Sequence, residues 1–245
     1  MSKSVVLSLS GGMDSSTLML KFLSEGYSID AVSFHYGQRH KRELRAAENL
    51  VNYLNHARWN IPSPECPARW EYTGWQKVDI GTINALLQGS SLTTEHIEVP
   101  KGHYEEPMMK LTVVPNRNCI FLSLLSAYAI SKKVPLVAFG AHAGDHAIYP
   151  DCREEFVLAM QNVVCVGNYE CVQIVAPFLK MNKGEILREG LMACEKLGIS
   201  PGTFYNNTWT CYEGGEEACG KCGCCIERLE AFQFCGISDP LQYAQ

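Results

Sequence analysis

Five cysteines lie within fifteen residues late in the sequence, at Cys211, Cys219, Cys222, Cys224 and Cys225. Four of them follow the spacing C-x7-C-x2-C-x2-C, and the two-residue gaps let paired thiolates turn toward one tetrahedral centre. The surrounding Gly, Glu and Lys residues would leave free thiols exposed. The spacing therefore predicts a closed, structural Zn²⁺ site formed by Cys211, Cys219, Cys222 and Cys225.

Two alternatives stay open for this cluster. Cys224 in place of Cys225 would leave a gap of one residue, which fits a tetrahedral site less well. An iron–sulfur cluster could use the same four ligands. We favour zinc because nothing else in the sequence indicates redox chemistry.

A second candidate site is a corner rich in serine and glycine. An apolar run ends at Ser10-Gly11-Gly12 and resumes after Asp14, where a helix is predicted. The unpaired amides of a helix N-terminus, with its dipole, attract anions, and glycines let a ligand approach the backbone. Asp14 would repel a phosphate, so it is either a helix cap or part of a Mg²⁺ arrangement. The residues predicted to bind the anion are Leu9, Ser10, Gly11, Gly12, Met13, Asp14, Ser15, Ser16 and Thr17.

A corner without any ligand is the simpler alternative. The sequence contains no Walker motif and no G-x-G-x-x-G after a strand, so neither of those nucleotide sites is supported.

Alternating strand and helix patterns predict an α/β fold with a parallel, Rossmann-like sheet that places this corner at the carboxyl end of the first strand. Strands are predicted at 5–9, 29–34, 135–140 and 172–175, and helices at 14–24, 44–54, 118–131, 153–162 and 182–197. The helix at 118–131 is apolar almost all round, which predicts that it is buried. We expect residues 1–200 to form the α/β domain, with an irregular insertion at about 57–116 that carries a short helix near 83–87. Residues 201–245 would form the metal-binding segment packed on it.

The composition excludes several classes of protein. A formal net charge of −5 argues against nucleic-acid binding by bulk electrostatics, and no apolar run is long enough to span a bilayer. Because Met1 is followed almost directly by a strand pattern, with no secretory signal, we expect a cytoplasmic protein. The scattered cysteines are then predicted to be buried apolar side chains, namely Cys66, Cys119, Cys152, Cys165, Cys171, Cys194 and Cys235.

Longer motifs add a resemblance to known proteins. Residues 10–15, SGGMDS, resemble the SGGxDS loop with which PP-loop ATP pyrophosphatases grip the pyrophosphate of ATP. Nearly the whole chain resembles the 7-cyano-7-deazaguanine synthase family of queuosine biosynthesis. The motifs that carry this resemblance are SFHYGQRH at 33–40, IEVP at 97–100, VPNRN at 114–118, YPDCR at 149–153, TWTCY at 208–212 and CGKC at 219–222.

The resemblance implies an ATP-dependent ligase that converts 7-carboxy-7-deazaguanine and ammonia to the nitrile preQ0 through an acyl-adenylate and an amide. It also implies ATP, Mg²⁺ and structural Zn²⁺ as cofactors and a homodimer. The expected catalytic residues are Asp14, Ser15, Arg117 and Lys183, and the expected substrate-binding residues are Tyr36, Gln38, Arg39, Tyr149 and Asp151. Two alternatives remain: an enzyme that passes the activated carboxylate to another amine, such as one on a protein, and a non-catalytic module.

Aromatic and charged residues supply further expectations for this pocket. Phe34, His35, Tyr36 and Tyr149 could form the wall against a planar heterocycle. Arg117, Lys180, Lys183, Arg39 and Lys41 are the candidate phosphate cations, with Arg117 the favoured one. Asp151 could pair with a guanine-like edge or cap the helix that follows it.

The chain departs from the family pattern at two places. Asn116 stands where glycine is common, and asparagine tolerates the positive φ that such a turn needs. His142 and His146 lie in the predicted substrate loop, where they could be a metal pair, proton-transfer groups or hydrogen-bonding loop residues.

Overall fold

The computed structural model describes residues 3–39, 41–60, 73–94, 96–102 and 107–244. Its strands are β1 (Ser4–Ser8), β2 (Ser28–His35), β3 (Gly74–Asp79), β4 (Leu136–Ala138) and β5 (Gln173–Val175). Its α-helices are α1 (Met13–Ser24), α2 (Arg42–Asn60), α3 (Arg117–Lys132), α4 (Glu154–Gly167), α5 (Lys183–Leu197), α6 (Pro201–Asn206) and α7 (Gly223–Phe234). Short 3₁₀ helices lie at Gly81–Leu86, Pro107–Thr112, Ala143–Ala147 and Pro150–Cys152. Among these residues, no helix has the length and hydropathy needed to cross a bilayer.

The strands form one parallel sheet in the order β3-β2-β1-β4-β5, which confirms the predicted fold class. The chain runs outward from β1 through β2 to β3, and then returns to the other side of β1 to form β4 and β5. The strand order therefore reverses at β1, and a crevice opens between the carboxyl ends of β1 and β4. The corner after β1 faces this crevice.

The predicted irregular insertion at 57–116 is more regular than expected. Its described part contains β3, which pairs with β2 from Asp30↔Gly74 to His35↔Asp79. The sequence of β3, GWQKVD, neither alternates nor forms an apolar run, because an edge strand is held mainly by its backbone ladder. The short helix expected near 83–87 is present as the 3₁₀ helix Gly81–Leu86.

Helix α3 buries only one face, so the prediction that it is buried all round is wrong. Leu122, Leu125, Ser126 and Ala129 are buried, whereas Leu124 is 40% exposed. An apolar composition can thus accompany a helix that packs on the sheet with a single stripe. The turn before α3 is formed as expected, with Asn116 at φ 56°.

The scattered cysteines divide into three groups, which corrects the expectation that all are buried apolar side chains. Cys152 and Cys194 are buried, while Cys119 and Cys235 are half-buried. Cys165 and Cys171 are joined by a disulfide bond, because the chain reverses direction between α4 and β5 and brings them together. Cys66 lies outside the described residues.

The corner after β1 is fixed by close packing against α2. Gly11 has φ 89°, and a Cβ atom at this position would overlap the backbone carbonyl oxygen of Glu43. On the other side, a Cβ at Gly140, just after β4, would lie 3.2 Å from the amide nitrogen of Ser15. These glycines therefore serve the close approach of protein backbone, and Gly11 also supplies the left-handed conformation.

Candidate functional site

A cavity of about 200 Å³ occupies the crevice at the reversal point of the sheet. It is bounded by the ends of β1, β2 and β4, by the starts of α1, α3 and α5, and by the C-terminal segment. Six residues of the predicted anion site line it: Leu9, Ser10, Gly12, Met13, Asp14 and Ser15. Gly11, Ser16 and Thr17 do not, since Gly11 faces α2 and the other two turn into the core, where the Thr17 hydroxyl donates to the carbonyl of Met13.

The corner is internally bonded in a way that leaves its helix end open to a ligand. The Ser10 and Ser15 hydroxyls are 2.9 Å apart, and the Gly12 amide donates to Ser10 Oγ at 3.1 Å. Gly12 is the N-cap of α1, and no side chain caps this helix. Amides and a helix dipole without a side-chain acceptor are suited to an anion.

Asp14 does not cap α1, because it is the second residue of the helix. Its Oδ2 lies 3.5 Å from Lys183 Nζ and 3.7 Å from His142 Nε2. Its Oδ1 is buried and has no hydrogen-bond partner within the described ranges. An orphaned, buried carboxylate oxygen beside an anion-binding helix end fits a ligand of a hard cation such as Mg²⁺.

Lys183 lines the cavity and is the cation of a cluster of charged side chains. Its Nζ is 2.8 Å from Glu227 Oε2, and Asp14 lies on its other flank. Burial lowers the pKa of Lys183, but Asp14 and Glu227 raise it, and the net pKa lies well above the ordinary value. Lys183 therefore stays protonated and acts as a fixed cation, not as a base.

His142 and Asp145 complete the cluster. The amide of Gly144 donates to His142 Nδ1 at 3.1 Å, and His142 Nε2 lies 3.6 Å from Asp145 Oδ2. Burial raises the pKa of Asp145, with His142 opposing it. Nδ1 is occupied by the Gly144 amide, so Nε2 is the ring nitrogen that faces the carboxylates of Asp14 and Asp145. His146 does not line the cavity.

Arg117 enters the cavity from the start of α3. It is half-buried and faces the phenol oxygens of Tyr36 and Tyr212. Burial lowers its pKa, while Tyr36, Tyr212 and Asp151 raise it, so the guanidinium remains charged. Arg117 is thus the second cation of the cavity that the sequence predicted.

An aromatic wall lies beside Arg117. Phe34 and Phe121 stack with ring centroids 4.3 Å apart, and Tyr36 meets Phe121 edge-on at 5.4 Å. Phe34 and Tyr36 were expected here, whereas Phe121 was not. His35 was also expected but lies outside the cavity, where it pairs with Asp79 at 3.1 Å.

The other expected substrate residues hold the walls in place. Gln38 lines the cavity, but its amide bonds the backbone of Tyr36 and Phe34 at 2.9 and 3.1 Å. Arg39 lies outside it and donates to the carbonyl oxygens of Ser91 and Ile97.

Tyr149 and Asp151 are likewise outside the cavity. The hydroxyl of Tyr149 bonds Thr112 Oγ1 at 2.6 Å, and burial raises its pKa to about 12. Asp151 Oδ2 accepts from the amide of Asn118 at 3.0 Å. Asp151 therefore caps α3, the helix before it in sequence, not the helix that follows it.

The four predicted ligand sulfurs converge on one point. The Sγ atoms of Cys211, Cys219, Cys222 and Cys225 all lie within 4.8 Å of one another, and Cys219 and Cys225 are 4.0 Å apart. A tetrahedral zinc with bonds of about 2.3 Å needs sulfurs separated by about 3.8 Å, so the donor set fits. The amides of Lys221 and Cys222 donate to Cys219 Sγ and so hold this sulfur in place. The cluster is suited to bind a metal ion.

Cys224 does not join this cluster. It is buried and lines the cavity, whereas the converging sulfurs belong to the other four cysteines of this segment. The C-terminal segment thus gives the cavity Thr210, Tyr212 and Cys224, besides the Glu227 partner of Lys183. Thr210 and Tyr212 belong to the TWTCY motif, but neither they nor Glu227 were predicted at the cavity, since spacing does not show which side chains the fold brings to a site.

Comparison with known proteins assigns the family. The family model described as "Queuosine biosynthesis protein QueC" matches residues 3–236. The chain belongs to the QueC family. The resemblance carried by its sequence motifs is thereby confirmed.

Curated relatives extend over almost the same length as this QueC family member. It is 48% identical to a protein of Pseudoalteromonas translucida over 99% of this chain and 100% of the relative. It is 50% identical to proteins of Marinobacter nauticus and Alteromonas mediterranea, over 99% of this chain and 98% and 100% of those chains. All three relatives are named 7-cyano-7-deazaguanine synthase.

Proposed function

We propose that this protein is an ATP-dependent ligase that converts 7-carboxy-7-deazaguanine and ammonia to 7-cyano-7-deazaguanine. The observation that carries the proposal is the joining, in one cavity, of an uncapped helix N-terminus, two permanent cations and an aromatic wall. Membership in the QueC family and relatives named 7-cyano-7-deazaguanine synthase support it.

The corner after β1 would bind the polyphosphate of ATP. A carboxylate is a poor electrophile because it has no good leaving group, and transfer of AMP to it supplies one. Charge then develops on the departing pyrophosphate, next to the amides of the α1 start and the hydroxyls of Ser10 and Ser15. Donors that are already in place stabilise this charge without reorganisation.

Lys183 and Arg117 would lie on two sides of the reacting groups and bind different parts of them. Lys183 faces Asp14 and the corner, and so holds the phosphates, whereas Arg117 faces the aromatic wall. A planar guanidinium forms two parallel hydrogen bonds with a carboxylate, which suits Arg117 to orient the substrate acid. Asp14 would hold Mg²⁺ through its orphaned Oδ1, and the ion would supply neutralising charge to the phosphates.

The wall of Phe34, Tyr36 and Phe121 would pack on the planar deazaguanine. Ammonia would attack the adenylated carboxylate to give an amide, and a second activation of the amide oxygen would lead to the nitrile. Asp145 lines the same cavity and is one carboxylate that could bind the incoming ammonium.

The cysteine cluster would bind Zn²⁺ as a structural ion, since four thiolates leave no open coordination position. A homodimer, expected from the family resemblance, belongs to the same proposal.

One assay tests the activity. The purified protein is incubated with ATP, Mg²⁺, ammonium and the carboxy-deazaguanine, and the base is followed by mass spectrometry. The proposal is supported if the mass of the base falls by the difference between a carboxylic acid and a nitrile and AMP is formed. AMP formation with no nitrile favours transfer to another amine, and unconsumed ATP overturns both.

A further inference from the structure

The phosphate-binding corner is held from outside by the segment that leads into the cysteine cluster. The backbone amide of Trp209 donates to the carbonyl oxygen of Gly11 at 2.8 Å. Gly11 is also in close contact with the backbone of α2, as described above. The corner is therefore clamped between α2 and the Trp209 segment.

Trp209 is in turn fixed to the first ligand residue of the cluster. Its indole Nε1 donates to the backbone oxygen of Cys211 at 3.0 Å, and its side chain is buried. Binding of a metal by the Cys211 sulfur restrains this backbone. A restraint at Cys211 is then carried to Gly11 by only two hydrogen bonds.

Arg42 makes a second connection between Trp209 and the cysteine cluster. Its guanidinium lies 4.0 Å from the centroid of the Trp209 ring, and its Nη1 donates to the carbonyl of Gly215 at 2.7 Å. Gly215 lies in the loop between the ligands Cys211 and Cys219. A single side chain at the start of α2 thus contacts both the tryptophan that holds the corner and the loop that joins two ligands.

We propose that Arg42 and Trp209 are positioning residues that couple metal binding at the cysteine cluster to polyphosphate binding at the corner. The proposal rests on the proposed function, since it assumes that the corner binds ATP and the cluster binds zinc. Coupling between two sites is reciprocal, so ATP must tighten zinc binding by the same factor by which zinc tightens ATP binding. The guanidinium lies over the indole ring, which rigidifies the link.

The experiment measures zinc loss from the full-length, zinc-loaded protein. A chromogenic chelator that prefers zinc to magnesium reports the rate of release, with and without saturating ATP and Mg²⁺ and without the carboxylate substrate. Calorimetry gives the ATP affinity of the same samples. We expect ATP to slow zinc release by at least about fivefold in the unchanged protein.

Two variants locate the coupling. Arg42→Met should bind ATP more weakly and lose most of the slowing of zinc release. Arg42→Lys keeps the charge but not the planar guanidinium. Its ATP affinity and its slowing of zinc release should therefore lie between those of the unchanged protein and those of Arg42→Met. Arg45→Met, an exposed arginine on the same helix, is the control and should behave as the unchanged protein.

The outcomes separate the two proposals. If the unchanged protein does not bind ATP, the proposed function fails and the coupling with it. If it binds ATP but zinc release is unaffected, the coupling is wrong while the proposed function stands. If Arg42→Met retains the full slowing, the coupling does not pass through this pair, and the assignment of Arg42 is overturned.

Discussion

Lys183 Nζ lies 2.8 Å from Glu227 Oε2, so the first residue of α5 is held by a carboxylate from α7. The same ammonium group faces Asp14 at 3.5 Å, at the start of α1. One buried cation therefore connects three helices that lie far apart in sequence. The site and the packing of the C-terminal segment depend on each other through this residue.

Lys183→Met removes this cation and leaves two facing carboxylates in a buried cluster. Loss of one partner of a buried pair costs about 3–5 kcal/mol, so we expect a loss of that order in the free energy of unfolding by urea, together with weaker ATP binding. The control is Lys180→Met, whose side chain is 79% exposed and pairs with Glu154 at 3.6 Å. An exposed pair contributes about 0–1 kcal/mol, and equal losses in the two variants would contradict the assignment.

Gly11→Ala tests the clamp on the corner. Both Gly11 and Gly26 have positive φ, at 89° and 80°, so alanine at either position incurs a left-handed backbone penalty of about 1–2 kcal/mol. Only at Gly11 does the added Cβ also meet the backbone of α2; at Gly26 no atom lies within 4 Å. We expect Gly11→Ala to lower the denaturation midpoint well beyond Gly26→Ala. Similar midpoints would show that α2 does not constrain the corner.

Cys219→Ser and Cys224→Ser distinguish a metal ligand from a neighbouring cysteine. Cys219 belongs to the converging sulfurs, whereas Cys224 lines the cavity. The first change should leave the purified protein with little bound zinc and a lower thermal midpoint, because metal binding contributes to folding. The second should keep one zinc per chain by elemental analysis. Loss of zinc from Cys224→Ser with retention in Cys225→Ser would reassign the fourth ligand.

Arg117→Lys and Arg39→Lys should separate catalysis from support of the fold. Arg117 lines the cavity, and replacing its planar group should lower kcat for AMP formation by about a hundredfold or more. Arg39 instead bonds the carbonyls of Ser91 and Ile97, so its replacement should cost about 1–3 kcal/mol of stability with kcat little changed. Steady-state kinetics and urea unfolding of both variants give the comparison. A fall in kcat for Arg39→Lys alone would reverse the two roles.

Much of the fold could be predicted because the buried elements carry their own pattern. The apolar run of β1 and the helix pattern at 182–197 both appear in the structure, the latter as α5 with Asn182 as its N-cap. Strand β3 could not be predicted, because its place depends on a backbone ladder with β2 and its side chains are half-buried or exposed. The exposed face of α3 was missed for a related reason, because apolar composition does not show which side chains pack against another element and which stay exposed.

The site could be predicted where the chemistry is local in sequence and not where it is assembled by the fold. The cysteines and the serine–glycine corner follow from spacing within a few residues. The role of Asp151 could not be assigned from spacing, because its carboxylate accepts a hydrogen bond from the amide of Asn118, thirty-three positions earlier. Phe121 lines the cavity from α3, and Glu227 of α7 reaches Lys183 at its edge; only the packed structure shows that these side chains point toward the site.

The central position of β1 has a consequence for biosynthesis. The ribosome makes this strand and its serine–glycine corner well before β4, Trp209 and Glu227. A nascent polypeptide consequently carries an incomplete serine–glycine corner, with one flank of the strand unpaired, until β4 has been made. The corner is therefore complete only once the segment that carries Trp209 and Glu227 has packed against it.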